Sequence, residues 1–293
     1  MNEIGQFCQD YGFPAEAVDT LNDAYTTLQN NEEAWKVLQE QIAVYKNGLD
    51  FDYHPMFDAL HALQVTTGVH MYTIDLIFMI KMLPILKEYY TAKGYPLRYV
   101  EDLSVNLRHY LFDCHKNYGV WGSYIGWWLI AHFKLKCFSI GRLQYKVKGV
   151  TEAQASDKFP LVVGQPIMDV HVPPSGPLTP ELCQASYDEA TKFFREHLGY
   201  TETIICVSTW LLSPDLDDLL PPTSNILAFA HKYTLLHTKI DEDYHTLHFM
   251  FDIPTLPEDL NDLPERSSLQ RALKAHLMAG NKLKTGFGAF RYE

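Results

Sequence analysis

The chain is poor in the signatures that announce a familiar chemistry. Its five cysteines (Cys8, Cys114, Cys137, Cys183, Cys206) are odd in number, widely spaced and without a CxxC, so no disulfide framework is expected. Thirteen histidines are present, but HExxH is absent. His245 and His248 fall three apart in a stretch that reads as a strand, which sends them to opposite faces, and His54 and His61 sit at a poor angle on a helix. No metal site is expected. GxGxxG and the Walker A loop are missing, and Gly286-Phe-Gly288 is too little to stand for either, which disfavours dinucleotide and nucleoside-triphosphate enzymes. Ser208 lies in CVSTW without the flanking glycines of a serine-hydrolase elbow.

Long apolar runs and basic patches are missing too. The most apolar segment, IDLIFMIKMLPIL at 74–86, is broken by Asp75, Lys81 and Pro84 and is too short to cross a bilayer. The opening MNEIGQFCQDYG is polar and acidic, unlike a signal peptide. A cytoplasmic protein with no membrane partner is the expectation. The formal net charge is −12, and the densest basic stretch, Lys134 to Lys148, is interrupted by aromatic and aliphatic residues. Nucleic acid is not an expected partner.

What is there is apolar and aromatic: 47% hydrophobic and 13% aromatic residues, enough for a large core and wide pockets. The first half repeats at helical spacing. Leu21, Tyr25 and Leu28 share one face, and Trp35, Leu38, Ile42 and Tyr45 form a second stripe. Further helices are expected near 54–66, 69–92 and 98–117, with Pro84 kinking or ending the one it interrupts. Near residue 138 the period changes. CFSIGRLQYKVKG alternates like a strand, TEAQASDKFP reads as a surface loop, and PIMDVHV reads as the next strand. A helix follows, with Thr179 as N-cap, Pro180 in the first turn, and Leu182, Tyr187, Ala190 and Phe194 at helical spacing. TIICVSTWLL is a buried strand, SPDLDDLLPP a short helix, and SNILAFAHK starts another. YTLLHTKI and YHTLHFMF, joined by Asp-Glu-Asp, read as a hairpin. SLQRALKAHLMAG is an amphipathic helix closed by Gly280, and TGFGAFRYE returns as a strand. The join between the halves falls within WGSYIGWWLIAHFKLKCF, whose Trp121, Trp127 and Trp128 suit either inter-domain packing or the wall of a cleft.

One stretch combines a strand, a Pro/Gly turn and a helix start: DVHVPPSGPLTPELCQAS, 169–186. Unpaired N–H groups and the dipole at a helix start can hold an anion, and Gly176 lets the backbone come close. Glu181 in the first turn opposes this, so an ordinary capped turn is the other reading. His171 stands at the end of that strand, and histidine is the residue type best suited to act as a base near neutral pH.

The order strand, strand, helix 180–197, strand 203–210, helix, hairpin, together with WGSYIGWWLIAHFKLKCFSIGRLQYK, DVHVPPSGPLTPELCQAS, CVSTWLLSPDLDDLLPPTSNILAF and SLQRALKAHLMAG, resembles a bacterial acyltransferase family. That family has a helical N-terminal N-acyltransferase domain and a GNAT-like C-terminal domain. The resemblance implies an α+β fold, with a helical domain over 1–136 and a GNAT-like mixed sheet flanked by helices over 137–293. It implies acyl-CoA or acetyl-CoA as co-substrate, no metal, and a small-molecule acyl acceptor. Pantetheine would pair with the strand through Met168, Asp169, Val170 and Val172. Pyrophosphate would rest on Ser175, Gly176, Leu178 and Thr179, although the usual Gln/Arg-x-x-Gly-x-Gly/Ala turn is missing. The next helix would add Asn225, with Ala228 completing Asn-x-x-Ala. His171 would be the base, the Val170 or Val172 N–H would hold the oxyanion, and Ser208 or Tyr233 would supply an acid or a bridging hydrogen bond. Tyr233 falls one residue late for the family's acid. Cys206 as an acyl-thioester nucleophile is a lesser expectation. A non-catalytic scaffold that binds a ligand or protein in its Trp-rich cleft is the alternative.

Overall fold

The structure, a computed structural model, describes residues 1–241 and 247–293 and, of His248, its backbone alone. The chain divides into two bodies, Met1–Ser139 with Pro173–Ser175, and Ile140–Val172 with Gly176–Glu293.

The first body is helical. α1 (Glu3–Asp10), α2 (Ala15–Asn30), α3 (Glu32–Lys46), α4 (Tyr53–Thr67), α5 (Met71–Lys93), α6 (Arg98–Tyr118) and α7 (Gly126–Phe133) follow in order. Leu21, Tyr25 and Leu28 of α2 are buried, as the stripe predicts. In α3, Leu38 and Tyr45 are buried and Trp35 and Ile42 half-buried. α4 and α5 end at Gly68 and Gly94, both in the left-handed conformation (φ 73° and 68°) that a C-cap glycine adopts without strain. Pro84 does not end its helix: α5 runs through it. The tryptophans take separate roles. Trp121 stacks on His115 at 3.5 Å, whereas Trp127 is 62% exposed.

The second body is built on a mixed sheet of order β1-β2-β3-β4-β6-β5. CFSIGRLQYKVKG is two strands rather than one, β1 (Cys137–Ile140) and β2 (Leu143–Gly149), because Gly141 turns the chain with φ 59°. β3 (Pro166–His171) leads through the Pro/Gly turn into α8 (Pro180–Leu198), and β4 (Ile204–Thr209) follows. Thr179 caps α8 by accepting from the Leu182 N–H. Leu182 itself is 45% exposed, and Cys183 takes the inward position expected of it.

α9 (Leu216–Leu219) and α10 (Asn225–Ala230) precede β5 (Thr234–Ile240). The expected hairpin does not form. Residues 242–246 lie outside the described residues, and Leu247–Phe251 is a helix, α11. Leu247, Met250 and Phe251 are buried at helical spacing, in a cluster with Leu216 and Leu273. His248 thus lies in a helix, and His245 is outside the described residues. α12 (Ser268–Met278) ends near Gly280, and β6 (Lys284–Arg291) inserts between β4 and β5, antiparallel to both. Gly286 explains the glycines of that last strand. A Cβ there would meet the Leu212 carbonyl oxygen at 2.5 Å, so the missing side chain admits the turn after β4.

Candidate active site

β3 and β4 are parallel neighbours only through Met168↔Ile205 and Asp169↔Cys206. β3 runs on to His171 and β4 to Thr209 without further pairing between them, while the other edge of β4 pairs with β6 from Ile204 to Thr209. The two strands therefore part at their carboxyl ends, leaving backbone groups of the gap open to a ligand.

Side chains alternate along each strand, so the gap has two differently furnished faces. On one face lie Asp169 and His171 from β3 with Cys206 and Ser208 from β4. Asp169 is buried, with Oδ2 3.5 Å from His171 Nε2 and 3.4 Å from Lys148 Nζ. Burial pushes the Asp169 carboxyl up, but His171 and Lys148 outweigh it and hold the carboxyl below its ordinary value. His171 keeps about a third of its side chain exposed, while its Nε2 is buried on the side of Asp169. Ser208 is exposed on the facing strand. Cys206 is fully buried, and burial pushes its thiol up to about 12, so no nucleophilic thiolate forms there at neutral pH.

The other face carries Met168 and Val170 under α8. Tyr145, the register partner of Val170, meets Ser186 of α8 at 2.9 Å between hydroxyls. Here Tyr233 is 6% exposed, packed against Phe229 and Phe290, and its hydroxyl lies 2.9 Å from that of Tyr187. Burial raises both phenols, so each is a neutral O–H at any physiological pH. Tyr187, not Tyr233, lines a cavity of about 180 Å³ between α8 and α10. Ala228 lines it too, and four residues on from Ala228 the lining residue is Lys232.

The turn residues are distributed unevenly. Gly176 is exposed with φ 71°, and its carbonyl and that of Pro177 accept from Arg142 at 3.1 and 2.9 Å. Leu178 reaches the cavity, and Thr179 is committed to its cap. Val172 is half-buried, and Ser175 belongs with the first body. Asn225 is exposed in the first turn of α10, whose cap is Ser224. Glu181 is exposed and lines no part of the cavity. Among the described residues no cluster suits a metal ion.

Three residues escaped the sequence reading in these roles. The Asp169 side chain could have been found from Asp-x-His in a strand, which puts both groups on one face. Lys232 could have been found from its i+4 relation to Ala228. Tyr187 was legible only as part of an apolar stripe.

A strand pair that splays beside a helix start, with a His–Asp pair on one face and a cavity on the other, is the frame of a GNAT-type domain. The family model for the GNAT-like C-terminal domain matches residues 137–290, and the chain belongs to that family. The N-acyltransferase N-terminal domain model matches residues 2–135. No curated protein matches the chain. Among solved structures, an acyltransferase in complex with decanoyl-CoA is 24% identical with a TM-score of 0.79, over 99% of this chain and 88% of that one. An acyltransferase in complex with decanoyl-CoA and teicoplanin is 22% identical with a TM-score of 0.67, over 98% and 99% of the two chains. These likenesses establish a shared fold.

Proposed function

We propose that the protein is an acyl-CoA-dependent N-acyltransferase that acts on a small-molecule amine. The observation that carries this reading is the splay of β3 from β4 with His171 and Asp169 at its mouth. Relatives of the same fold crystallised with decanoyl-CoA and octanoyl-CoA support the donor, and the one holding teicoplanin supports a small-molecule acceptor. The chain is divided into a helical domain over 1–136 and a catalytic domain over 137–293. A bacterial cytoplasm is the proposed setting, supported by five cysteines of which none is in a disulfide and by the family resemblance.

In the proposed reaction pantetheine lies along Met168, Asp169, Val170 and Val172. The acceptor nitrogen attacks the thioester carbonyl carbon, and His171 takes the proton that the nitrogen sheds. The Val170 or Val172 N–H holds the oxyanion. As the tetrahedral intermediate collapses, the carbon–sulfur bond breaks and the sulfur takes a proton from Tyr187, which Tyr233 backs by its hydroxyl contact. Ser208 is placed to hydrogen-bond the acceptor from the facing strand. Gly176, Leu178, Thr179 and Asn225 form the outer part of the donor site.

Calorimetric titration with acetyl-CoA, octanoyl-CoA and decanoyl-CoA tests the reading, and no heat at millimolar ligand would remove it. A non-catalytic scaffold is the second reading, favoured by the missing glycine-rich turn and exposed Trp127. It predicts binding without release of free thiol in the presence of any amine.

A further inference from the structure

The cavity between α8 and α10 has an apolar wall along Leu178, Pro180, Cys183 and Phe229, and Lys232 is the one charged residue among those that line it. In a chain of net charge −12, a cation with no acid beside it in such a wall is a local inversion of the overall field. The Lys232 ammonium lies over the rings of Phe290 and Tyr292, 5.5 and 5.9 Å from their centroids. Among the described residues no carboxylate pairs with it. Its charge is therefore uncompensated.

The position of the cavity gives that charge a purpose. Leu178 and Pro180 bracket the N-cap of α8, so the cavity reaches the helix start, where an anion also meets unpaired N–H groups. Arg142 binds the carbonyls of Gly176 and Pro177 and so holds the shape of the turn. Lys232, carried on the turn between α10 and β5, faces the same space from the opposite wall.

We infer that Lys232 recognises the diphosphate of acyl-CoA, taking the part of the glycine-rich turn that the sequence lacks. This rests on the acyl-CoA reading above. It predicts a donor site whose anion contact comes from the turn after α10 rather than from the loop before α8.

The test is calorimetry on the full chain with octanoyl-CoA, octanoyl-dephospho-CoA and octanoyl-pantetheine. Lys232→Ala weakens both diphosphate ligands by about tenfold or more, the worth of a charge-assisted hydrogen bond, and leaves octanoyl-pantetheine unchanged. Lys232→Arg restores most of the affinity. Lys232 is exposed, so neither variant threatens the fold. Equal affinity of Lys232→Ala and the parent protein for octanoyl-CoA overturns the proposal while leaving the acyl-CoA reading intact. A loss confined to octanoyl-CoA and absent with its dephospho form overturns the diphosphate assignment, because the contact is then to the ribose phosphate. An equal loss with octanoyl-pantetheine overturns it as well, because Lys232 then serves the thioester end. A parent protein that binds none of the three removes the acyl-CoA reading itself, and this inference with it.

Discussion

Asp169 and His171 stand two residues apart on β3, leave the strand on the same face, and bring Oδ2 and Nε2 to 3.5 Å. The carboxylate is buried and the imidazole is partly open, so the pair is oriented from inside and approached from outside. A positioned base contributes roughly a hundredfold to ten-thousandfold to rate, and His171→Ala should lower turnover within that range while sparing donor affinity. Asp169→Asn should also lower turnover with donor affinity kept, since it removes the orienting charge and not the base. Release of free thiol under saturating donor measures both. Unchanged turnover in His171→Ala would remove that residue from the mechanism.

On the opposite face the hydroxyls of Tyr187 and Tyr233 meet at 2.9 Å, with Tyr187 at the cavity wall and Tyr233 behind it. Tyr187→Phe should therefore reduce turnover more than Tyr233→Phe. Tyr233→Phe should cost about 1 kcal/mol of stability, the net worth of one hydrogen bond. Chemical denaturation and the thiol-release assay separate the two effects. The reverse ranking of the turnovers would place the donor on Tyr233.

The contrast between what was legible in the sequence and what was not follows from range. Thr179-Pro180 announces the start of α8 because capping is a local matter, and the helix begins there. The pairing of β5 with β6 joins segments far apart in the chain, so YTLLHTKI gave no local hint that its partner was TGFGAFRYE. YHTLHFMF was misread because its aromatic and β-branched content suggests a strand, whereas Leu247, Met250 and Phe251 are buried at helical spacing. The site shows the same division. His171 at a strand end beside a Pro/Gly turn is visible as a residue type in a context. That Lys232 and not Tyr233 faces the cavity depends on how α10 sits against α8, which no residue pattern states.

Cys206 lies between the chemistry of the two strands yet is fully buried, with its thiol pushed up to about 12 by burial. An acyl-thioester on Cys206 is therefore not expected. Cys206→Ala should retain turnover, and mass spectrometry of the protein quenched during reaction should show no acyl adduct. All five cysteines are buried and none is in a disulfide, so thiol reagents should modify the native chain slowly and the unfolded chain at once. An acyl adduct that disappears in Cys206→Ala would reverse this assignment.

Gly286 tests the packing that ends β4. A methyl group there would meet backbone and side chain of Leu212 at 2.5 and 2.6 Å, and backbone cannot move as a flexible side chain can. Gly286→Ala should destabilise the protein by about 1–3 kcal/mol, the usual cost of overpacking a close contact. Gly176→Ala forms the comparison, since nothing lies within 4 Å of its Cβ and only its φ of 71° opposes the change. Thermal denaturation of the two variants should rank Gly286→Ala as the less stable.

In the first body, His61 Nε2 lies 2.9 Å from Oδ1 of the buried Asp75, on the neighbouring helix. The hydrogen bond to Asp75 raises the His61 value above 6.5; burial, the next largest cause, lowers it, and the Asp75 and Asp58 charges add to the rise. Because the folded value is raised, the stabilisation is fully present below 6.5 and is lost as pH climbs through the higher folded value. Burial of Asp75 points the same way. Its carboxyl is raised, so its ionisation is a liability unless His61 is charged beside it. With a third of the His61 side chain exposed, the effect stays under about 1 kcal/mol. Melting temperature measured from pH 5 to pH 9, as about the useful span for histidine, should therefore fall across the upper part of that range. In His61→Gln, which keeps a hydrogen-bond donor but cannot titrate, that fall should disappear. Parallel melting profiles for the two proteins would show that His61 and Asp75 hold the helices together without a titrating charge.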